Sequence, residues 1–287
     1  MDNRICLITG ASDGLGLEAA RQLAAMGWEL ILVGRNRGKL EVASQEIVRL
    51  TGHDRITLFV ADLSSQQEIR KLSEEIHQRF QKLDILINNA GAVFANFGLT
   101  PEGIERTIAT NHFNYFLLTR LLLDLLHRSS QGRIINVASK SHFQGHIDFA
   151  SFTSNRRYHL LKAYAQSKLA NILFTYELAA RLKSTGITVN AISPGRVRTQ
   201  IGIKNQPWYV SFVWSALMKW SSISAEQSAK VYVYLASNPE VANTTGKYFD
   251  QHLRMIPSSR LSHDKSLSRQ LWEESERITG LPSFSLP

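Results

Sequence analysis

Cysteine is almost missing from this chain of 287 residues: Cys6 stands alone. That excludes an internal disulfide and fits a reducing compartment. Cys6 lies in the apolar run RICLIT, so a small core residue is expected there rather than a reactive thiol. Long apolar runs are missing as well. No stretch approaches the ~20 residues needed to cross a bilayer, and the N-terminus has none long enough for a signal peptide. A soluble, cytoplasmic protein is expected. The segment PWYVSFVWSALMKW at 207–220 is too short to span a membrane but able to touch one peripherally. Low-complexity linkers are lacking too, so one domain is expected, with 203–223 inserted as a cap and 251–287 as a C-terminal extension. No metal-ligand set stands out.

Carboxylates are scarce in one block. Residues 125–225 hold 13 Lys and Arg against Asp148 and Glu177, a local balance of +11. The first 124 residues carry −2 and the remainder is neutral, within a total of +9. Such asymmetry suits an anionic ligand or an acidic surface, with a merely solvated basic face as the alternative. Nucleic acid is not expected, because no binding motif or interleaved aromatic-basic run accompanies the charge.

What is present is a rhythm. Short runs of Ile, Leu and Val alternate with amphipathic stretches: strands at 4–9, 29–34, 55–61 and 83–89, helices at 15–27, 38–50 and 65–80. The strands do not alternate apolar with polar, which suits a sheet covered on both faces. Repeated β-α units imply parallel strands with right-handed crossovers. A long helix beginning near Thr100-Pro101-Glu102 follows, then strands at 132–139, 186–193 and 246–249, and helices at 160–183, 224–237 and 264–280. The expected fold is α/β, a Rossmann-type doubly wound sheet of about seven parallel strands.

The first strand runs into Gly10-Ala11-Ser12-Asp13-Gly14-Leu15-Gly16 and then directly into a helix. Glycines let a chain turn sharply and let a pyrophosphate reach the N–H groups of the helix start. The spacing is a variant of the general dinucleotide fingerprint, and a plain tight turn is the alternative. The second strand ends at neutral Gly34 followed by Arg35. An NAD-selective fold usually places a carboxylate here, whereas a guanidinium suits the extra phosphate of NADP(H). Asp62, with Leu63 beside it, follows the third strand, where its carboxylate reads either as an adenine contact or as an N-cap-like loop residue. Asn88-Asn89-Ala90-Gly91 closes the fourth strand, as a cofactor surface or a simple turn. Asn111 lies within a helix, where a buried asparagine can hold a backbone break or an ordered water. Ser139 ends the fifth strand, with Ser141 as its rival. On the helix LLKAYAQSKLANILFTYELAARLK, Tyr164 and Lys168 share a row with Ile172 and Tyr176 beside the apolar stripe of Leu161, Leu169, Leu173 and Ala179.

Together these motifs resemble the short-chain dehydrogenase/reductase superfamily: TGASDGLG, NNAG, Asn111, NVAS ending at Ser139, YAQSK, and Pro194-Gly195-Arg196-Val197-Arg198-Thr199, in family order over about residues 4–250. SKLANILFTYELAARLK and LWEESERITGLP look like the retinol dehydrogenase-like branch. The resemblance implies a tetrad of Asn111, Ser139, Tyr164 and Lys168. Tyr164 would be the general acid for carbonyl reduction and the base for the reverse. A free phenol titrates near pH 10, and a nearby ammonium would bring it down. Lys168 would supply that charge and hold the nicotinamide ribose, Ser139 would bind the substrate oxygen, and Asn111 would hold a relay water. Asn89, Ala90 and Gly91 are implied as ribose-side contacts, and Pro194, Gly195, Val197 and Thr199 as further cofactor contacts, Thr199 to the carboxamide. Asp13 stands where some NADP-using members carry a basic residue. The branch's membrane-anchored members have an apolar N-terminal helix without counterpart in these residues.

The aromatic residues of 207–220 (Trp208, Tyr209, Phe212, Trp214, Trp220) read as a lid over a lipophilic aldehyde, ketone or alcohol, or as packing against the C-terminal extension. A catalytically silent NADP(H) sensor or scaffold is the reading from another class. Relatives that pair do so through the helices around Asn111 and Tyr164, so a homodimer stays open.

Overall fold

The computed structural model describes residues 4–155, 158–195 and 223–286. Seven parallel strands form one sheet in the order β3-β2-β1-β4-β5-β6-β7. They are β1 (Ile5–Thr9), β2 (Glu29–Gly34), β3 (Ile56–Val60), β4 (Ile85–Asn88), β5 (Arg133–Val137), β6 (Thr188–Ile192) and β7 (Lys247–Phe249). The order reverses direction between β1 and β4, which leaves a crevice at their carboxyl ends. In β1, β5 and β6 every residue is buried, the reason their sequences do not alternate.

Helices cover both faces. On one lie α1 (Gly14–Ala25), α2 (Arg37–Thr51) and α8 (Ala225–Ser237). On the other lie α3 (Gln66–Arg79), α5 (Asn114–Leu121), α7 (Leu160–Arg181) and α9 (Lys265–Thr279). Strand β1 feeds both: Ile5 and Leu7 enter the core with α3 and α5, while Cys6 and Ile8 enter the core with α1 and α8. Cys6 is therefore a core residue, and burial pushes its thiol pKa up. Side chains close several helix starts, Asn36 accepting from the Lys39 N–H at 2.9 Å and Asp264 from Leu267 at 3.0 Å. Left-handed Gly52 and Gly280 end α2 and α9.

Two expectations need correcting. The helix anticipated from Thr100 begins at Arg106, as α4 (Arg106–Ile108), a π-helical turn (Ala109–Phe113), α5 and α6 (Leu123–His127). The cause is Glu105, whose carboxylate accepts the N–H groups of Thr107 at 2.7 Å and Ile108 at 3.0 Å and so fixes the cap there. Leu161, assigned to the apolar stripe of α7, is 52% exposed, because its turn precedes the buried length of the helix. The cap at 203–223 falls outside the described residues except for Ile223. Among the described residues, no helix is long and apolar enough to cross a membrane.

Candidate active site

The carboxyl ends of β1–β4 open into a cleft of about 620 Å³. Its floor is the turn after β1. Gly10 is left-handed (φ 66°), a conformation that suits glycine. Gly16 packs so closely that a Cβ would meet the Gly10 carbonyl oxygen and lie 2.7 Å from Asn89 Nδ2. Asn89 braces this turn: Nδ2 donates to the Thr9 and Gly10 carbonyls at 2.9 and 3.3 Å, and Oδ1 accepts from the Tyr232 hydroxyl at 2.9 Å. The glycines therefore let α1 start within reach of a ligand in the cleft, where its N–H groups favour an anion.

Gly10, Ser12, Asp13, Gly14 and Leu15 line the cleft, with Arg35, Asp62, Leu63, Asn89, Ala90 and Gly91 from the following strand ends. Gly16 shapes it from behind. Pro194 and Gly195 are not in the lining; the Pro194 carbonyl accepts from the Ser228 hydroxyl and Gly195 (φ 78°) abuts Gln251. Val197 and Thr199 lie outside the described residues. Asp62 acts as a loop residue, Oδ1 accepting from the Ser64 N–H and hydroxyl at 3.0 and 2.8 Å, and it lines the cleft.

Among the lining residues that went unread in the sequence are Lys39, Arg106 and Thr110. Lys39, one turn after Arg35, adds a second cation at the β2 end. Its signal was available as a four-residue spacing in RNRGK. On the far wall, Arg106 lies 4.7 Å over the Phe94 ring, with Thr110 one turn on. Arg106 Nε and Thr110 Oγ1 are buried without protein partners. Orphaned polar atoms and a glycine-lined helix start suit a polar, anionic ligand such as a dinucleotide.

Beyond Gly91 lies the second half of the site. A Cβ on Gly91 would lie 3.2 Å from Asn111 Oδ1 and 3.7 Å from Lys168 Nζ, so the glycine leaves room beside both groups behind the cleft wall. Lys168 is buried, donates to the Val137 carbonyl at 2.9 Å, and has Nζ 5.6 Å from the Tyr164 ring centroid. Ser139 is the polar side chain that acts on the Tyr164 phenol, pulling its pKa down. Ser139 follows β5 as the cap of a short 3-10 turn (Lys140–Gln144), two residues past the end of the strand. Its rival Ser141 is adjacent, Oγ to Oγ 3.2 Å, but it is Ser139 that acts on the pKa of the phenol.

Asn111 sits in the π-helical turn. Oδ1 accepts from the Ala92 N–H at 2.7 Å, and Nδ2 donates to the Ala92 carbonyl at 3.0 Å and to Ser167 Oγ at 2.9 Å. Ser167 in turn donates to the Tyr164 carbonyl at 2.8 Å. Asn111 thus ties the β4 loop to the Tyr164 helix, with both amide hydrogens engaged.

The electrostatics correct one expectation. Burial raises the Tyr164 pKa, and the Ser139 side chain offsets this only in part. Burial likewise lowers Lys168 from 10.5 to about 7. The anticipated depression of the phenol by an ammonium is absent here, because desolvation disfavours both charged forms. An anionic group in the cleft would favour the ammonium.

The model for short chain dehydrogenases matches residues 4–210. The chain belongs to the short-chain dehydrogenases. Its relatives include human retinol dehydrogenase 13, 39% identical over 98% of this chain and 86% of that protein. Human retinol dehydrogenase 14 is 36% identical over 98% and 88%. Among solved structures, an uncharacterized protein from Mycobacterium paratuberculosis superposes with a TM-score of 0.79, at 30% identity over 99% of this chain and 95% of that one. A Shigella flexneri short chain dehydrogenase complexed with NADP gives 0.67 at 26% identity, over 88% and 98%. This short-chain dehydrogenase is thus an oxidoreductase of the retinol dehydrogenase-like branch, acting on CH–OH groups.

Proposed function

We propose that this oxidoreductase interconverts a lipophilic aldehyde or ketone and its alcohol, with NADP(H) as its cofactor. The observation that carries the reading is Lys168 Nζ, 5.6 Å from the Tyr164 ring and beside Gly91 of the cleft wall, with Ser139 acting on the same phenol. NADP(H), when bound, supplies or accepts the hydride. The chain binds, orients and moves the proton. Tyr164 donates its phenolic proton to the substrate oxygen in reduction and takes one back in oxidation. A pKa held high by burial keeps the phenol protonated at neutral pH, the form that reduction needs. Ser139 gives the same oxygen a second hydrogen bond as charge grows there. Lys168 stabilises the phenolate left behind, and Asn111 holds the β4 loop in register while offering Oδ1 to a relay water.

Arg35 and Lys39, with neutral Gly34 before them, favour a 2′-phosphate over a bare ribose hydroxyl. The NADP named with the Shigella flexneri neighbour and the NADPH named with one from Escherichia coli support that choice. The relatives' names specify retinol, and the aromatic residues at 207–220 add to the case for an apolar substrate. The test is NADPH consumption, with NADH alongside, across a panel of lipophilic aldehydes and ketones. Turnover faster with NADPH is expected. Tight NADPH binding with no turnover on any carbonyl would favour the sensor reading instead.

A further inference from the structure

His142 lies outside every motif above, yet it touches the reaction centre from behind. It is fully buried in the 3-10 turn that Ser139 caps. Both its main-chain N–H, at 3.1 Å, and its ring Nδ1, at 2.7 Å, reach the Ser139 carbonyl. A carbonyl can only accept, so Nδ1 carries the hydrogen. On the other side Nε2 lies 3.0 Å from the Ser259 N–H, which can only donate, so Nε2 is the lone pair. The neutral tautomer is fixed by its two partners. The rings of Phe143 and Tyr248 lie 4.2 and 5.1 Å from it and confine its tilt.

The Ser259 end is anchored in turn. Ser258 Oγ lies 2.8 Å from the Tyr176 hydroxyl, 2.6 Å from Ser262 Oγ and 3.1 Å from His263 Nε2. Tyr176 belongs to α7, the helix that carries Tyr164 and Lys168. A continuous polar path therefore runs from the Ser139 backbone through one imidazole to the C-terminal segment, and back to the Tyr164 helix. Ser139 itself lies past the end of β5 in a turn of five residues, with no strand ladder to fix it.

We infer that His142 is a positioning residue for the reaction: it holds the Ser139 hydroxyl against the Tyr164 phenol by bridging Ser139 to Ser259. The C-terminal segment is then a working support of the site. This rests on the proposed role of Ser139, and the test separates the two.

Turnover, KM for NADPH and thermal unfolding are measured for Ser139→Ala, His142→Phe, His142→Gln, and the Ser139→Ala/His142→Phe pair. Phenylalanine keeps the ring volume and removes both bonds, whereas glutamine places an acceptor near the Nε2 position. The account predicts a fall in kcat of about 10- to 100-fold for His142→Phe, as for a misplaced reacting group, with KM for NADPH unchanged. His142→Gln recovers part of it. In the Ser139→Ala background His142→Phe adds no further loss, because the hydroxyl it positions is gone. A drop in unfolding temperature with kcat per folded molecule unchanged overturns the inference, as does an equal loss in both backgrounds. Where His142→Phe does not fold, His142→Gln and His142→Asn carry the same comparison with Ser139→Ala. Ser139→Ala with undiminished turnover refutes the proposed role of Ser139 and this inference with it.

Discussion

The cleft at the carboxyl ends of β1–β4 and the clamp formed where α9 docks are opposite solutions to building with the same chain. The cleft is made largely of backbone: glycines, strand ends and a helix start around about 620 Å³ of open space. The clamp is made of side chains with no space left. Trp272 of α9 packs against both Phe116 and Phe174, with centroids at 5.0 and 6.0 Å. The guanidiniums of Arg120 and Arg181 lie 5.5 and 4.3 Å over its ring. Arg120 also meets Glu276 at 2.7 Å, with both side chains nearly buried. One region is open so that a ligand can complete it; the other is already complete and fixes α7 in place. Changes in the clamp should therefore appear as stability, and changes in the cleft as binding.

The largest expected break in that contrast is Trp272→Ala. Removing a buried tryptophan costs about 3–5 kcal/mol. Denaturant unfolding should show a loss of that size, while NADPH affinity of the remaining folded protein stays as in the wild type. Arg35→Ala should do the reverse. Losing one charge-assisted contact of about 1.5–3 kcal/mol should raise KM for NADPH about 10- to 100-fold. KM for NADH should barely move, and neither should the unfolding curve.

A third effect, of pH, joins the two regions through Lys168. Its pKa is about 7 folded, against 10.5 ordinarily. Below pH 7 both folded and unfolded chains hold the proton, and the full cost of burying the charge is present. Between about 7 and 10.5 the unfolded chain binds the extra proton, so stability rises with pH across that window. Lys168→Met lacks this term. The wild type should therefore gain on the variant from pH 7 to pH 10, and the gap between them should be flat below pH 7.

The same contrast explains what the sequence could show. The cleft is local: Gly10 to Leu15 is one turn and Gly34-Arg35 one strand end, so neighbours in the sequence mark much of its lining. The sheet was legible for a similar reason, since strands buried on both faces are runs of Ile, Leu and Val. Tyr164 and Lys168 were legible as a polar row on an apolar helix face. The clamp draws on residues 116, 120, 174, 181, 272 and 276, each unremarkable where it stands. His142 was unreadable on the same grounds, because its meaning is a contact with Ser259 more than a hundred residues away. The helix start at Arg106 was misplaced because Pro101 and Glu102 imitate a helix opening, while the actual cap is the buried carboxylate of Glu105. The direction of the Tyr164 pKa was missed because proximity to a lysine is visible in a sequence and desolvation is not.

The most direct test of the account is Tyr164→Phe, assayed for NADPH binding and carbonyl turnover on one preparation. Removing one hydroxyl leaves the ring packing and the cleft unchanged. The account predicts wild-type NADPH affinity and unfolding, with turnover lower by about 10²- to 10⁴-fold, the range of a lost general acid. Near-normal turnover in that variant contradicts it.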